Sequence, residues 1–222
     1  AIRYNQRMST NENTLLLHSC CAPCTTAPLD ALLSTGEQVD LFFYNPNIQP
    51  LEEYQRRLDA LRAFLNAGPQ QVVLHTGSYD EALWEKEVAC WGGPYPLING
   101  ASDYAAFKEA RKQRCTACYK LRFKALAAFA AAQGYRQLDT TLTISPYQFL
   151  PEIQETLEEC ASRHGLTVRR SDWSRYYPES TRCSRALGLY RQNYCGCRFS
   201  YQEAELERQA RRSARKKDNQ VS

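Results

Sequence analysis

The sequence predicts a Rossmann-like α/β fold, a doubly wound and mostly parallel sheet with helices on both faces. Three observations carry that expectation. Short apolar or β-branched runs recur along the chain, helical patterns fall between them, and the alternation holds from beginning to end. Strands joined through crossover helices run parallel, because the helix returns the chain to the same end of the sheet.

Taken in order, Leu15–His18 reads as the first strand, and a helix is expected to begin near Pro28. Val39–Tyr44 is the second strand. The clearest helix runs from Leu51 to about Asn66, with Leu51, Tyr54, Leu58, Leu61, Phe64 and Leu65 on one face and Gly68 beyond as a stop. Val72–His75 reads as the third strand. Cys90–Ser102, CWGGPYPLINGAS, has no helical or strand period and is expected to be an ordered loop or insertion. A helix is expected over Tyr119–Phe123, a strand at Leu138–Ile144, a second amphipathic helix at Glu152–His164 with Gly165 as its stop, and a last strand at Leu166–Arg169. No repeat, low-complexity linker or composition shift divides the chain, so residues 1–222 are expected to form one domain with an insertion loop at 90–102 and a basic helix or tail from about 201 to 222.

The composition, 43% apolar and 23% charged over 222 residues, is that of an ordinary globular domain. No apolar run reaches the roughly 18 residues of a membrane helix. The first residues also lack the basic-then-apolar order of a secretory signal. A soluble, cytoplasmic protein without membrane contact is therefore expected, and its ten cysteines suit metal or redox use better than a disulfide scaffold. The net charge of +4 is unevenly spread, with six basic residues and no acid in Arg208–Lys217. A solvated helix end is the simpler reading; contact with a polyanion such as RNA is the sharper one. Seven arginines in Arg169–Arg198 alternate with Trp173, Tyr176, Tyr177, Tyr190 and Tyr194, a mixture that suits unpaired nucleotides and equally suits core packing.

Three cysteine motifs hold the chemistry. Cys20, Cys21 and Cys24 follow the first strand directly, at the carboxyl end where open parallel sheets bind ligands. In a tight turn, adjacent cysteines can both face one polynuclear cluster. Cys115 and Cys118 form a C-x2-C pair, which fits structural zinc, half of an iron–sulfur site or a redox dithiol. Added to Cys20 and Cys21 they give four thiolates, the usual ligand set of a [4Fe–4S] cluster, with tetrahedral zinc as the rival. Cys195 and Cys197, separated by Gly196, can close only a small and strained disulfide, which is easily reduced, so that the pair can store two electrons as a dithiol and deliver them as the disulfide forms; binding a second metal is the alternative. Cys90, Cys160 and Cys183 follow no ligand spacing and read as isolated thiols. His18, His75 and His164 end secondary-structure elements and read as structural. No glycine-rich phosphate loop is present, which disfavours a nucleotide cofactor.

Five segments, LLLHSCCAPC at 15–24, FFYNPNIQP at 42–50, RCTACYKLRF at 114–123, DTTLTISPYQ at 139–148 and GLYRQNYCGCRFS at 188–200, together resemble the QueH type of epoxyqueuosine reductase, in that family's order and across most of the chain. The resemblance implies cobalamin-independent, two-electron removal of the epoxide oxygen from epoxyqueuosine at the wobble position of tRNA, the last step of queuosine biosynthesis. It also implies a [4Fe–4S] cluster on Cys20, Cys21, Cys115 and Cys118, and a redox-active pair at Cys195 and Cys197. An additional mononuclear iron is expected beside the cluster, near Cys24, Cys195 and Cys197. Some members are expected to carry aspartate where this chain has Cys24, so an all-thiolate second site here would be softer. The segment Cys90–Ser102 looks longer than the family's usual link and reads as a lid or a tolerated loop length.

Reductive opening of an epoxide needs an electron source and a Lewis acid or proton donor for the departing oxygen. Tyr119, Ser145 and Tyr147 are candidate proton donors or substrate positioners, with core packing and turn capping as their plain alternatives. The implied partners are tRNA carrying epoxyqueuosine and an external electron donor, with Arg191, Arg198, Arg211 and Arg212 as candidate tRNA contacts. Two other readings fit the same residues, a tRNA thiolation enzyme, which the missing phosphate loop disfavours, and a zinc-stabilised RNA-binding module without activity.

Overall fold

A computed structural model describes residues 11–68, 71–92 and 101–205. In β1 (Thr14–His18) successive side chains point to opposite faces, yet Leu15, Leu16 and Leu17 are all buried. Both faces are therefore covered, as in parallel sheets flanked by helices. β1 pairs in parallel with β2 (Gln38–Phe43) on one side and β4 (Gln137–Thr140) on the other. Outside them lie β3 (Leu74–Thr76) and β5 (Thr167–Val168), giving an all-parallel order β3-β2-β1-β4-β5.

The helices divide between the two faces. Leu15 and Leu17 pack with Leu29 and Leu32 of α1 (Ala22–Ser34) and with Leu58 and Leu61 of α2 (Leu51–Ala67). Leu16 packs on the opposite face with Phe123 and Leu126 of the long α4 (Ala101–Gln133) and with Ile153 and Leu157 of α5 (Leu150–Ser162). Each leucine buried this way stabilises the fold by roughly 2 kcal/mol. A short α3 (Glu81–Glu87) precedes α4, and α6 (Tyr177–Ala186) packs on α1. The expected doubly wound α/β class is the observed one.

Local boundaries differ from expectation for identifiable reasons. α1 begins at Ala22, six residues before Pro28, because the Cys21 side chain caps it and Pro23, rather than Pro28, occupies the first turn. β4 stops at Thr140, whose hydroxyl accepts from the Leu142 N–H at 3.2 Å and turns residues Thr141–Ile144 into a 3₁₀ segment. The C-x2-C pair lies within α4 itself, ahead of the expected Tyr119–Phe123 segment. Of the expected insertion loop, Cys90 sits in a 3₁₀ turn, Ala101 and Ser102 open α4, and residues 93–100 lie outside the described residues. The expected tail is helical over 198–205; its remainder lies outside the described residues.

This strand order positions the site. From β1 the chain winds outward through β2 to β3, then crosses back to β4 on the other side of β1. The connections leaving β1 and β4 diverge, and the crevice at such a reversal is where doubly wound sheets bind ligands.

Candidate metal centre

His18 is the last residue of β1, so Ser19, Cys20 and Cys21 leave the sheet at that crevice. Cys21 is extended (φ −175°, ψ 163°), and its Sγ accepts from the Cys24 N–H at 3.4 Å, capping α1. Thr141, just past β4, binds Cys20 twice: its Oγ1 accepts from the Cys20 N–H at 3.2 Å and lies 3.4 Å from the Cys20 Sγ. The Cys20 and Cys21 sulfurs are 3.9 Å apart, and those of Cys20, Cys21 and Cys24 all lie within 4.8 Å of one another. Two thiolates on one tetrahedral ion with metal–sulfur bonds of about 2.3 Å would stand about 3.8 Å apart.

The charge within this trio settles on Cys21. Hydrogen bonds from Cys20 and Cys24, with a smaller contribution from Arg57, hold its thiol well below the ordinary value. The positive end of α1 acts in the same direction. The hydrogen bond to Cys21 pushes Cys20 up to about 12, and Cys24 is raised well above its usual value by Cys20 and Cys21.

The other two motifs arrive from opposite directions. Cys115 and Cys118 are three residues apart on α4 and share a face. Burial pushes Cys115 up to about 12 and also raises Cys118. The C-x-C segment follows α6 and is tied down by three backbone contacts. The Gln49 N–H donates to Gly196 O at 3.0 Å, Arg57 Nη1 donates to Cys195 O at 2.8 Å, and the Gly196 N–H donates to Ser200 Oγ at 3.2 Å. Gly196 has φ +134°, and a Cβ there would stand 2.9 Å from Ile48 Cγ1 and 3.2 Å from Arg57 Nη1. Only glycine fits without strain. Cys197 packs with Cys118, Trp84 and Val88 in one buried cluster, and Cys115 lies within electrostatic range of both Cys195 and Cys197.

A cavity of about 400 Å³ opens over these sulfurs. Cys20, Cys21, Cys24 and Cys195 line it, as do Ser145, Tyr147 and Arg191; Cys115, Cys118 and Cys197 do not. Tyr119 is buried away from the cavity and donates to Gln148 Oε1 at 2.7 Å, and Gln148 does line it. Burial raises the Tyr119 phenol well above its ordinary value. Arg191 donates to Thr181 O at 2.9 Å, whereas Arg198 pairs with Glu85 and stacks on Phe199 at 4.8 Å. Arg211 and Arg212 lie outside the described residues. Among the isolated thiols, Cys160 is buried in the core, Cys183 sits 3.1 Å from Glu179 Oε1, and Cys90 is exposed. The compact trio of Cys20, Cys21 and Cys24 cuts across the expected division between cluster and second-iron ligands.

Three residues that sequence reasoning passed over dominate the electrostatics: Arg57, Arg114 and Arg122, each no more than 2% exposed. Arg57 pairs with Glu53 at 2.8 Å and acts on Cys21 and Cys195. Arg114 pairs with Glu203 at 2.6 Å, with its Nη2 3.9 Å from the Cys115 sulfur. Arg122 reaches Asn45 Oδ1 at 2.5 Å and, one turn beyond Cys118 on α4, opposes the burial that raises the Cys118 thiol. A signal for them existed. Arg57 falls on the apolar stripe of Tyr54, Leu58 and Leu61, and Arg122 stands one helical turn beyond Cys118. Three soft sulfur donors, a helix N-terminus aimed at them and buried guanidinium groups around them suit a soft metal centre with net negative charge.

The rest of the chain agrees with what these sulfurs suggest. A family profile described as "Epoxyqueuosine reductase QueH" matches residues 15–203, which include all three cysteine motifs. Among curated proteins, the epoxyqueuosine reductase QueH of Dehalococcoides mccartyi is 33% identical over 189 residues, covering 85% of this chain and 93% of its own length. That of Thermotoga maritima is 33% identical over 192 residues, covering 86% and 91%. The Haemophilus influenzae protein of the same name is 28% identical over 215 residues, covering 94% and 80%. With the profile running from β1 through the C-x-C segment, this chain belongs to the QueH family of epoxyqueuosine reductases.

Proposed function

We propose that this chain reduces epoxyqueuosine in tRNA to queuosine, using an iron–sulfur cluster and a dithiol that meet at the floor of one cavity. What supports the reading is that Cys195 lines one cavity with Cys20, Cys21 and Cys24, that Cys118 packs with Cys197, and that Cys115 lies within electrostatic range of Cys195 and Cys197. Cys20, Cys21, Cys115 and Cys118 would hold a [4Fe–4S] cluster, and Cys24 with Cys195 and Cys197 an additional iron. Such a centre supplies one-electron steps and a Lewis acid for the epoxide oxygen.

The chain's own residues do the remaining work. The Cys195/Cys197 dithiol gives up two electrons and two protons as its S–S bond forms. The epoxide takes up both, breaking its two C–O bonds and leaving an alkene and water. An external donor then returns two electrons, and two protons are taken up, to restore the thiols. Ser145, Tyr147 and Gln148 line the cavity and stand as substrate positioners, with Tyr119 acting through its hydrogen bond to Gln148. Arg191 lines the cavity and Arg198 is half-exposed, so both stand as contacts for the RNA backbone around the extruded base.

The test is anaerobic purification with iron and sulfide counting, followed by turnover of Cys197→Ser. The expected protein is brown, with the variant keeping that absorbance and losing multiple turnover. Colourless protein holding zinc and no iron overturns the cofactor, and normal turnover by the variant overturns the dithiol.

A further inference from the structure

We infer that Arg122 is the buried counter-cation of the cysteine centre and raises its reduction potential; this rests on the reading of the centre just given. A guanidinium that is 1% exposed cannot rely on water, and leaving such a charge uncompensated is strongly destabilising. Arg57 and Arg114 each have a carboxylate, Glu53 and Glu203. Arg122 has none within 4.0 Å among the described residues, the range within which the other two find theirs.

The hydrogen-bonding partners of Arg122 are uncharged. Asn45 Oδ1 lies at 2.5 Å and His18 Nε2 at 3.3 Å. These partners are themselves fixed, Asn45 by Ser19 O at 3.0 Å and His18 by Thr140 Oγ1 at 2.9 Å. The guanidinium is thus clamped from the ends of β1, β2 and β4 while its Nε and Nη1 find no hydrogen-bond partner among the described residues. What remains beside it is sulfur: Arg122 follows Cys118 by one turn of α4 and lines the cavity together with Cys20, Cys21, Cys24 and Cys195. The charge that balances Arg122 is therefore carried by the cysteine centre.

The functional consequence follows from Coulomb's law. A metal centre held by these cysteines would gain one negative charge with each electron it accepted from an external one-electron carrier, which would be oxidised by one electron. Two such transfers with two protons convert one epoxide to an alkene and water. A fixed cation beside the sulfurs favours the more negative, reduced state and so raises the potential.

Redox titration of the anaerobically reconstituted full chain, with dithionite, mediators and electron paramagnetic resonance, tests this. At the wild-type midpoint, Arg122→Gln with full iron and sulfide content should show a reduced-to-oxidised ratio about tenfold lower, a shift of about 59 mV for one electron. Asn45→Asp, which keeps the arginine but gives it a carboxylate, should move the ratio the same way, and Arg122→Lys should hold it within about threefold. A role in packing alone would lower the melting temperature without moving the ratio. If Arg122→Gln loses its iron, Asn45→Asp decides. An unmoved ratio in an iron-loaded Arg122→Gln or Asn45→Asp, or loss of iron from all three variants, overturns the inference while leaving the reductase intact. Iron-free wild-type protein overturns both.

Discussion

Two polar clusters in this molecule are built on opposite terms. At Asp40, Oδ1 accepts from the Val73 N–H at 3.1 Å and Oδ2 from the Tyr135 hydroxyl at 2.6 Å, while His75 Nε2 meets that hydroxyl at 2.9 Å. Each of these groups has found its partner within the protein. At the cysteine end of the sheet, Asn47 Oδ1, Arg57 Nη2, Gln192 Oε1 and two nitrogens of Arg122 are buried without one. Such atoms are uncommon in native proteins, and each costs about 1–3 kcal/mol. Their residues all line the same cavity. A self-satisfied cluster holds the fold together, whereas an unsatisfied one is shaped for something that arrives later.

That contrast can be broken or sharpened by substitution. Cys115→Ala should have the largest effect, abolishing iron content, brown colour and turnover together. A retained spectrum and rate would move the ligand assignment elsewhere.

Outside the cavity lining, burial pushes the Asp139 carboxyl up to about 6, against about 3.9 unfolded. A raised folded value favours the native state below pH 4, and that contribution is lost as pH climbs through 6. The loss is about 3 kcal/mol. Asp139→Asn should flatten the fall in melting temperature between pH 4 and 6.5, and a variant as pH-sensitive as the parent would show that another group is responsible.

Gly196→Ala should cost about 2 kcal/mol, because φ +134° and the 2.9 Å approach to Ile48 both oppose a methyl group. Calorimetry should record a lower melting temperature and kinetics a slower turnover, with iron content kept. An unaltered melting temperature would mean that the segment repacks freely. The smallest effect is expected from Tyr135→Phe, about 1 kcal/mol of stability with turnover unchanged. Any loss of activity there would mean that the two clusters are coupled.

How much of this was legible in the letters differs by level. The α/β alternation was plain because strands buried on both faces carry uninterrupted apolar runs such as Leu15–Leu17. The ends of elements were not, because single side chains decide them. Cys21 caps α1 with sulfur in place of the usual hydroxyl or carboxylate, and Thr140 ends β4 inside a sequence rich in β-formers. α3 is only seven residues long, too short for a period to emerge. The sulfurs were visible from their spacing and helical periodicity hinted at Arg57 and Arg122, yet the partners that bury these guanidinium groups were not legible, since they lie far off in sequence, such as Asn45 for Arg122 and Glu203 for Arg114.

The sulfurs of this centre come from nearly the whole length of the chain, beginning at Cys20 and ending at Cys197. On the ribosome, domains fold as their chains emerge, and contacts between distant residues close last. A nascent chain therefore exposes the Cys20–Cys24 trio long before the C-x-C segment exists to cover it. All three cysteine motifs are present only once the C-x-C segment has been made, so a metal held by the three together would be loaded only after that point.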